Sequence, residues 1–202
     1  MKHTTLVIFA CLVLANPAVS IAQPSFDCAQ ATSKAEALVC SDPALAQIDQ
    51  RLSERYAAAL SMIEGLDAGA DIARDATRAS QRGWIKGRDD CWKADDLRTC
   101  VEASYLMREG ELVALWLLEE PTSVVTYSCE DNPANEVTAY FFDTELPSIR
   151  IEYGDSIKTG SLVPAASGAK YATTFGGMFW SKGGTARFSW DAGEIMSCAR
   201  AS

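Results

Sequence analysis

The stretch Trp116-Leu117-Leu118-Glu119-Glu120-Pro121-Thr122-Ser123-Val124-Val125-Thr126-Tyr127 (residues 116–127) divides the chain into two kinds of sequence. Before it, from Ser33 to about Leu118, the chain is rich in Ala, Leu, Arg and Glu, has Pro43 as its single proline, and repeats apolar residues every three or four positions. That spacing lines them along one face of a helix. After it, short runs of Val, Thr, Tyr, Phe and Trp are separated by clusters of Gly, Pro, Asn and Asp, the pattern of strands joined by tight turns. The expected fold class is α+β in two segregated domains: a disulfide-stapled helical hairpin or bundle over residues 23–119, then a small antiparallel β-barrel over residues 120–202.

Within the helical half, Ser33-Lys34-Ala35-Glu36 has the form of a capping box, in which the hydroxyl and the carboxylate each satisfy a free backbone N–H. A short helix to about Cys40 follows. Ser41-Asp42-Pro43 supplies the next N-cap, with proline where its missing N–H costs nothing. Leu45, Ile48, Leu52, Tyr56, Leu60 and Ile63 then form one apolar stripe. Gly65 to Gly69 reads as the turn of a helical hairpin, Ala70 to about Asp90 as its second arm, and Asp95-Asp96 as the acidic start of a third long helix through Leu106, Leu112 and Trp116.

In the second half, candidate strands are Val124–Cys129, Glu136–Phe142, Ser148–Tyr153, Ala169–Thr173, Met178–Ser181, Thr185–Trp190 and Glu194–Cys198. Turns are marked by Asn132-Pro133, Gly154-Asp155, Gly176-Gly177, Gly183-Gly184 and Ala192-Gly193. So many short strands in so few residues point to a barrel, with Cys129 in the first strand and Cys198 in the last tying its ends together. The other pairs are expected from the hairpin: its second arm returns to the start of the first, which places Cys91 near Cys40 and leaves Cys28 for Cys100.

Met1-Lys2-His3, the apolar run Leu6 to Ala15 and the small residues up to Ala22 read as a cleavable signal peptide, residues 1–22, with Gln23 as the first mature residue. Cys11 lies too early in this leader for a lipoprotein cleavage site. Export fits the cysteines, because six of the seven lie beyond the leader and an even count in an oxidising compartment implies disulfides. A periplasmic location is therefore expected, with no membrane span. Without Lys2, the 18 basic residues become 17 against 27 acidic ones. Such a surface repels nucleic acid and favours basic partners. The lone histidine, His3, leaves with the signal peptide, which removes histidine-based nucleophilic catalysis and histidine-ligated zinc. No cofactor or metal is expected. The acidic group Asp89, Asp90, Asp95 and Asp96 reads as a helix end and a helix start rather than a glycosidase pair, so no enzyme is expected.

The most specific segments are Ser167-Gly168-Ala169-Lys170-Tyr171 and Phe179-Trp180-Ser181-Lys182-Gly183. With Tyr127-Ser128-Cys129 and Cys198, over about residues 123–202, they resemble the MliC/PliC family of C-type lysozyme inhibitors. The resemblance implies an eight-stranded barrel, so an eighth strand is expected around Ser156 to Leu162. It also implies C-type lysozyme, a basic protein, as partner, and a contact surface of Ser167, Gly168, Tyr171 and Lys182, although Tyr171 and Trp180 themselves read as core or wall residues that brace the loops. A retaining lysozyme cleft holds two carboxylates about 5 Å apart. Family precedent gives Ser167 as hydrogen-bond donor to one and Lys182 as the cation for the other. Residues 25–118, through Phe26-Asp27-Cys28, Glu36 to Cys40, Ser41-Asp42-Pro43, Trp84 to Cys91 and Cys100 to Tyr105, resemble the LprI-type helical domain of exported bacterial proteins. A non-catalytic module binding peptidoglycan or another envelope component, with Trp180 and Trp190 stacking on sugar, is the alternative reading.

Overall fold

In a computed structural model the chain is described over residues 22–201. The expected signal peptide lies almost wholly outside these residues. The helices are α1 (Lys34–Ser41), α2 (Pro43–Glu64), α3 (Ala70–Asp89) and α4 (Leu97–Trp116). The strands are β1 (Ser123–Cys129), β2 (Asn132–Phe142), β3 (Ser148–Tyr153), β4 (Ser156–Val163), β5 (Ala169–Thr173), β6 (Met178–Lys182), β7 (Thr185–Ser189) and β8 (Met196–Arg200). Each strand pairs antiparallel with the next, and β8 returns to β1, closing the barrel. The eighth strand expected around Ser156 to Leu162 is β4.

Caps act where the sequence places them. Ser33 and Glu36 form both arms of the capping box, and the Asp42 carboxylate accepts from the Ala44 and Leu45 N–H groups ahead of Pro43. The Thr32 N–H, which donates to the Glu36 carboxylate, holds that group below its usual range; burial pulls the other way, and Ser33 and Arg88 assist. A depressed carboxylate stabilises the fold above its unfolded pKa, and that contribution is lost as pH falls through the lower native value. Glu36→Gln is therefore expected to flatten the acid limb of stability below about pH 4.3, read as the urea midpoint between pH 7 and pH 2.

Val39, Leu45, Ile48, Leu52, Tyr105 and Leu112 are the heart of the helical core. A polar chain runs through it. Arg88 Nη1 donates to the Tyr105 hydroxyl at 2.9 Å, and that hydroxyl donates to Asp49 at 2.8 Å, which joins α3, α4 and α2. Trp84 meets Tyr105 edge to face at 5.0 Å. Burial pushes the Tyr105 phenol up, and Asp49 adds to the shift.

Two of the three expected disulfides are corrected. Cys28 pairs with Cys40, and Cys91 with Cys100, rather than Cys40 with Cys91 and Cys28 with Cys100. The hairpin argument brings helix ends together but ignores the short 3-10 turns at Cys28–Gln30 and Asp90–Lys93. Each turn folds the chain back, so each cysteine meets its neighbour in sequence first. Cys129–Cys198 is as expected, across directly paired residues of β1 and β8. A second correction concerns Asn132-Pro133, which lies in β2. The reversal is at Glu130 and Asp131, with φ of 56° and 50°. The register slips between Ser128 and Cys129, opposite residues 133–135, and such an irregularity is where a residue without an N–H belongs.

The helices meet the barrel through α4. Gly110 lies so close to β3 that a Cβ there would be 2.8 Å from the Ser148 Cβ. Val113 and Ala114 pack on Phe142, and Arg150 Nη1 donates to the Leu115 carbonyl at 2.6 Å. Arg51 on α2 binds Glu109 in fork geometry at 2.7 and 2.9 Å and also reaches Glu145 in the β2–β3 connection. The Gly110 backbone resting on the Ser148 and Thr144 side chains, with these charge pairs beside it, joins the two halves closely.

Candidate functional site

Ser167 and Gly168 end the β4–β5 connection, and Lys182 ends β6. The register pairs Ala169 with Ser181, so Gly168 runs alongside the Ser181–Lys182 peptide. Gly168 has φ of +70°, and a Cβ on it would be 2.2 Å from the Ser181 carbonyl oxygen and 3.1 Å from the Lys182 Cβ. Only glycine meets both demands, a left-handed backbone and contact with another main chain. Trp180 Nε1 donates to the Ser167 carbonyl at 2.7 Å and pins the loop from the side, while Lys170, its register partner, places its ammonium 5.9 Å from the indole ring.

Past Lys182 the chain reverses through Gly183, φ +59°, and the Thr185 hydroxyl donates to the Lys182 carbonyl at 3.0 Å. The outcome is a half-buried serine and an exposed lysine on two adjacent connections at one end of the barrel. Tyr171 is placed differently. It is 6% exposed, opposite Phe179 in the register, with its ring 5.8 Å from Phe141, and burial pushes its phenol up. It braces β5 from inside the barrel and does not share the surface with Ser167, Gly168 and Lys182.

The clustered aspartates serve the helices. Asp89 accepts from the Ser33 hydroxyl and pairs with Arg88, Asp90 pairs with Lys93, and Asp96 caps α4 by accepting from the Thr99 N–H. Trp190 stacks against Tyr153 and Phe188. Sequence reasoning missed the Trp180 tether; a buried indole N–H usually finds an acceptor, but nothing in the motif says which one.

Comparison with known proteins agrees with this division. The family described as "Lysozyme inhibitor LprI" matches residues 27–118, and the family MliC, "Membrane-bound lysozyme-inhibitor of c-type lysozyme", matches residues 127–197. Helices and barrel thus define a class of protein in which an LprI module precedes an MliC module, and both resemblances read from the sequence are borne out. The chain belongs to the LprI family. It is 32% identical over 204 residues to the "Lipoprotein LprI" of Mycobacterium bovis and to that of Mycobacterium tuberculosis, an alignment covering 96% of this chain and 94% of those proteins. Among the described residues, no helix is long and apolar enough to cross a membrane.

Proposed function

We propose that this protein is an exported, non-catalytic inhibitor of C-type lysozyme that sets the Ser167 hydroxyl and the Lys182 ammonium against the two carboxylates of the enzyme's cleft. The observation that carries this reading is the contact of Gly168 with the Ser181–Lys182 peptide, because it holds a neutral donor and a cation on adjacent, fixed loops. Two carboxylates in a cleft need such a pair, and bonds to charged partners in a water-poor site are the strong ones. The inhibitor presents the polar contacts of a substrate and no glycosidic bond to cleave. Gly168 shapes this surface and Tyr171 supports it from within.

The acidic surface favours the encounter with a basic enzyme. Both inhibitor families matched here support lysozyme as partner, and three disulfides suit an oxidising, periplasmic compartment. The alternative, sugar stacking on Trp180 and Trp190, is less favoured because Trp180 spends its N–H on the Ser167 carbonyl and Trp190 is packed among rings.

Hydrolysis of bacterial cell walls by a C-type lysozyme, titrated with the mature chain and its variants, tests the proposal. Ser167→Ala and Lys182→Ala are each expected to weaken inhibition by about 10- to 100-fold, the range for a hydrogen bond to a charged group. Full-strength inhibition by the double variant sinks the proposed contacts. Absence of inhibition by the native, disulfide-intact chain sinks the function itself.

A further inference from the structure

Alternating strand directions place the β1–β2, β3–β4, β5–β6 and β7–β8 connections at the barrel end opposite Ser167 and Lys182. In the third of these, Phe175 is 85% exposed and has φ of 58° and ψ of 32°, a left-handed backbone that bulky residues rarely adopt. The turn is built to hold it there. The Phe175 carbonyl accepts from the Ala192 N–H at 3.0 Å, and a Cβ on Gly177 would be 2.4 Å from both the Trp190 carbonyl oxygen and the Thr173 hydroxyl. Beneath it Lys158, 9% exposed, donates to the Thr174 and Trp190 carbonyls and lies 4.7 Å from the centre of the Trp190 ring. The phenylalanine is thus held at the surface, its ring 5.7 Å from the Lys158 ammonium on the inner side and open to solvent on the other. A left-handed backbone at a bulky residue costs on the order of 1 to 3 kcal/mol, and strain of this kind clusters at sites that bind.

The surroundings say what kind of partner fits. Ile157, beside the second connection, and Ile195, in the fourth, are half-exposed at the same end. Around it stand exposed carboxylates: Glu130 and Asp131 in the first connection, Asp155 in the second, Asp191 and Glu194 in the fourth. The ammonium of Lys158 donates to carbonyl oxygens and, among the described residues, forms no salt bridge with these carboxylates, which outnumber it five to one. An apolar anchor inside an acidic rim is complementary to a basic protein and repels nucleic acid and anionic lipid.

We propose that this end of the barrel is a second docking surface that takes a second molecule of the basic lysozyme, so that one chain engages two enzymes, of which only the one at Ser167 and Lys182 is blocked. The identity of the partner rests on the function proposed above; the surface itself rests on Phe175 and its rim. The rim steers the encounter and the ring supplies the anchor, so the second site is expected to weaken about tenfold or more between low salt and 0.5 M salt.

Calorimetric titration of the full, disulfide-intact chain with a C-type lysozyme at low salt tests this, read beside the cell-wall assay. Two enzymes per chain are expected. Phe175→Gly removes the ring at a position whose φ glycine adopts freely, so the fold is retained; it is expected to bind one enzyme and to inhibit as well as the native chain. The Ser167→Ala/Lys182→Ala variant is expected to keep the second, non-inhibitory site. One enzyme per native chain with inhibition intact overturns the second surface and leaves the inhibitory site standing, as does undiminished stoichiometry in Phe175→Gly. No binding by the native chain overturns both.

Discussion

Gly168→Val is expected to lower stability by about 2 to 5 kcal/mol and to remove most of the inhibition with it. Two costs add. A left-handed backbone costs an L-residue about 1 to 2 kcal/mol, and forcing atoms into filled space costs about 1 to 3 kcal/mol more. The second term is unavoidable because the obstacle is a main-chain oxygen 2.2 Å from the new Cβ, which no rotamer can clear. The loop must lift from β6, and Ser167 moves away from Lys182 as it does so. Gly183→Ala is the control: its φ of +59° is also left-handed, but nothing lies within 4 Å of its Cβ, so it is expected to lose only about 1 to 2 kcal/mol. Urea unfolding followed by tryptophan fluorescence separates the two. Equal losses would mean that backbone conformation, and not the contact between loops, holds Gly168 in place.

Replacing Cys129 and Cys198 together by serine costs about 4 kcal/mol, the largest effect among the three disulfides. In the chain-entropy description the contribution of a cross-link grows with the loop that it closes. Cys129–Cys198 spans 69 positions, whereas Cys28–Cys40 spans 12 and Cys91–Cys100 spans 9, so each of the latter contributes nearer to about 3 kcal/mol. Denaturant midpoints of the three double-serine variants provide the ranking. A larger loss from either short loop than from the barrel staple would show that those bridges act by locking a native turn. The barrel closes through β1–β8 pairing between Tyr127–Cys129 and Cys198–Arg200, a short ladder, which is why its seam needs the staple.

The same comparison explains what could be read from the sequence. Helix starts were legible because caps are local: Ser33, Asp42 and Asp96 each satisfy N–H groups within three residues. Disulfide partners in the helical half were not, since they depend on the direction the chain takes through short 3-10 turns. Strand β4 gave a weak signal because its inward position is held by Lys158, a charged residue where alternation calls for an apolar one. Its ammonium is satisfied by carbonyls contributed from connections far along the chain. At the site, Ser167 and Lys182 stood out as members of ordered motifs. That Tyr171 is a bracing core residue was legible in its motif; that Gly168 presses on the next loop, and that Trp180 pins it through the Ser167 carbonyl, are facts of register, visible only once β5 and β6 are paired. Phe175 gave no sign at all, since it stands beside the Gly176-Gly177 turn and nothing in that pattern marks a left-handed backbone at the residue before it.

The close passage of Gly110 over Ser148 has a consequence for how such chains can change over time. A residue inserted in α4 before Gly110 would turn everything beyond it by about 100°, carrying Gly110, Val113 and Ala114 off the barrel together. Insertions and deletions are therefore tolerated in the connections but not within this helix. The two modules cannot be exchanged freely with those of unrelated chains; a new barrel would have to arrive with a small residue opposite Gly110, and a new helix with a glycine to meet it. Lineages that keep the pair are expected to keep the length of α4 fixed even where its outward residues drift.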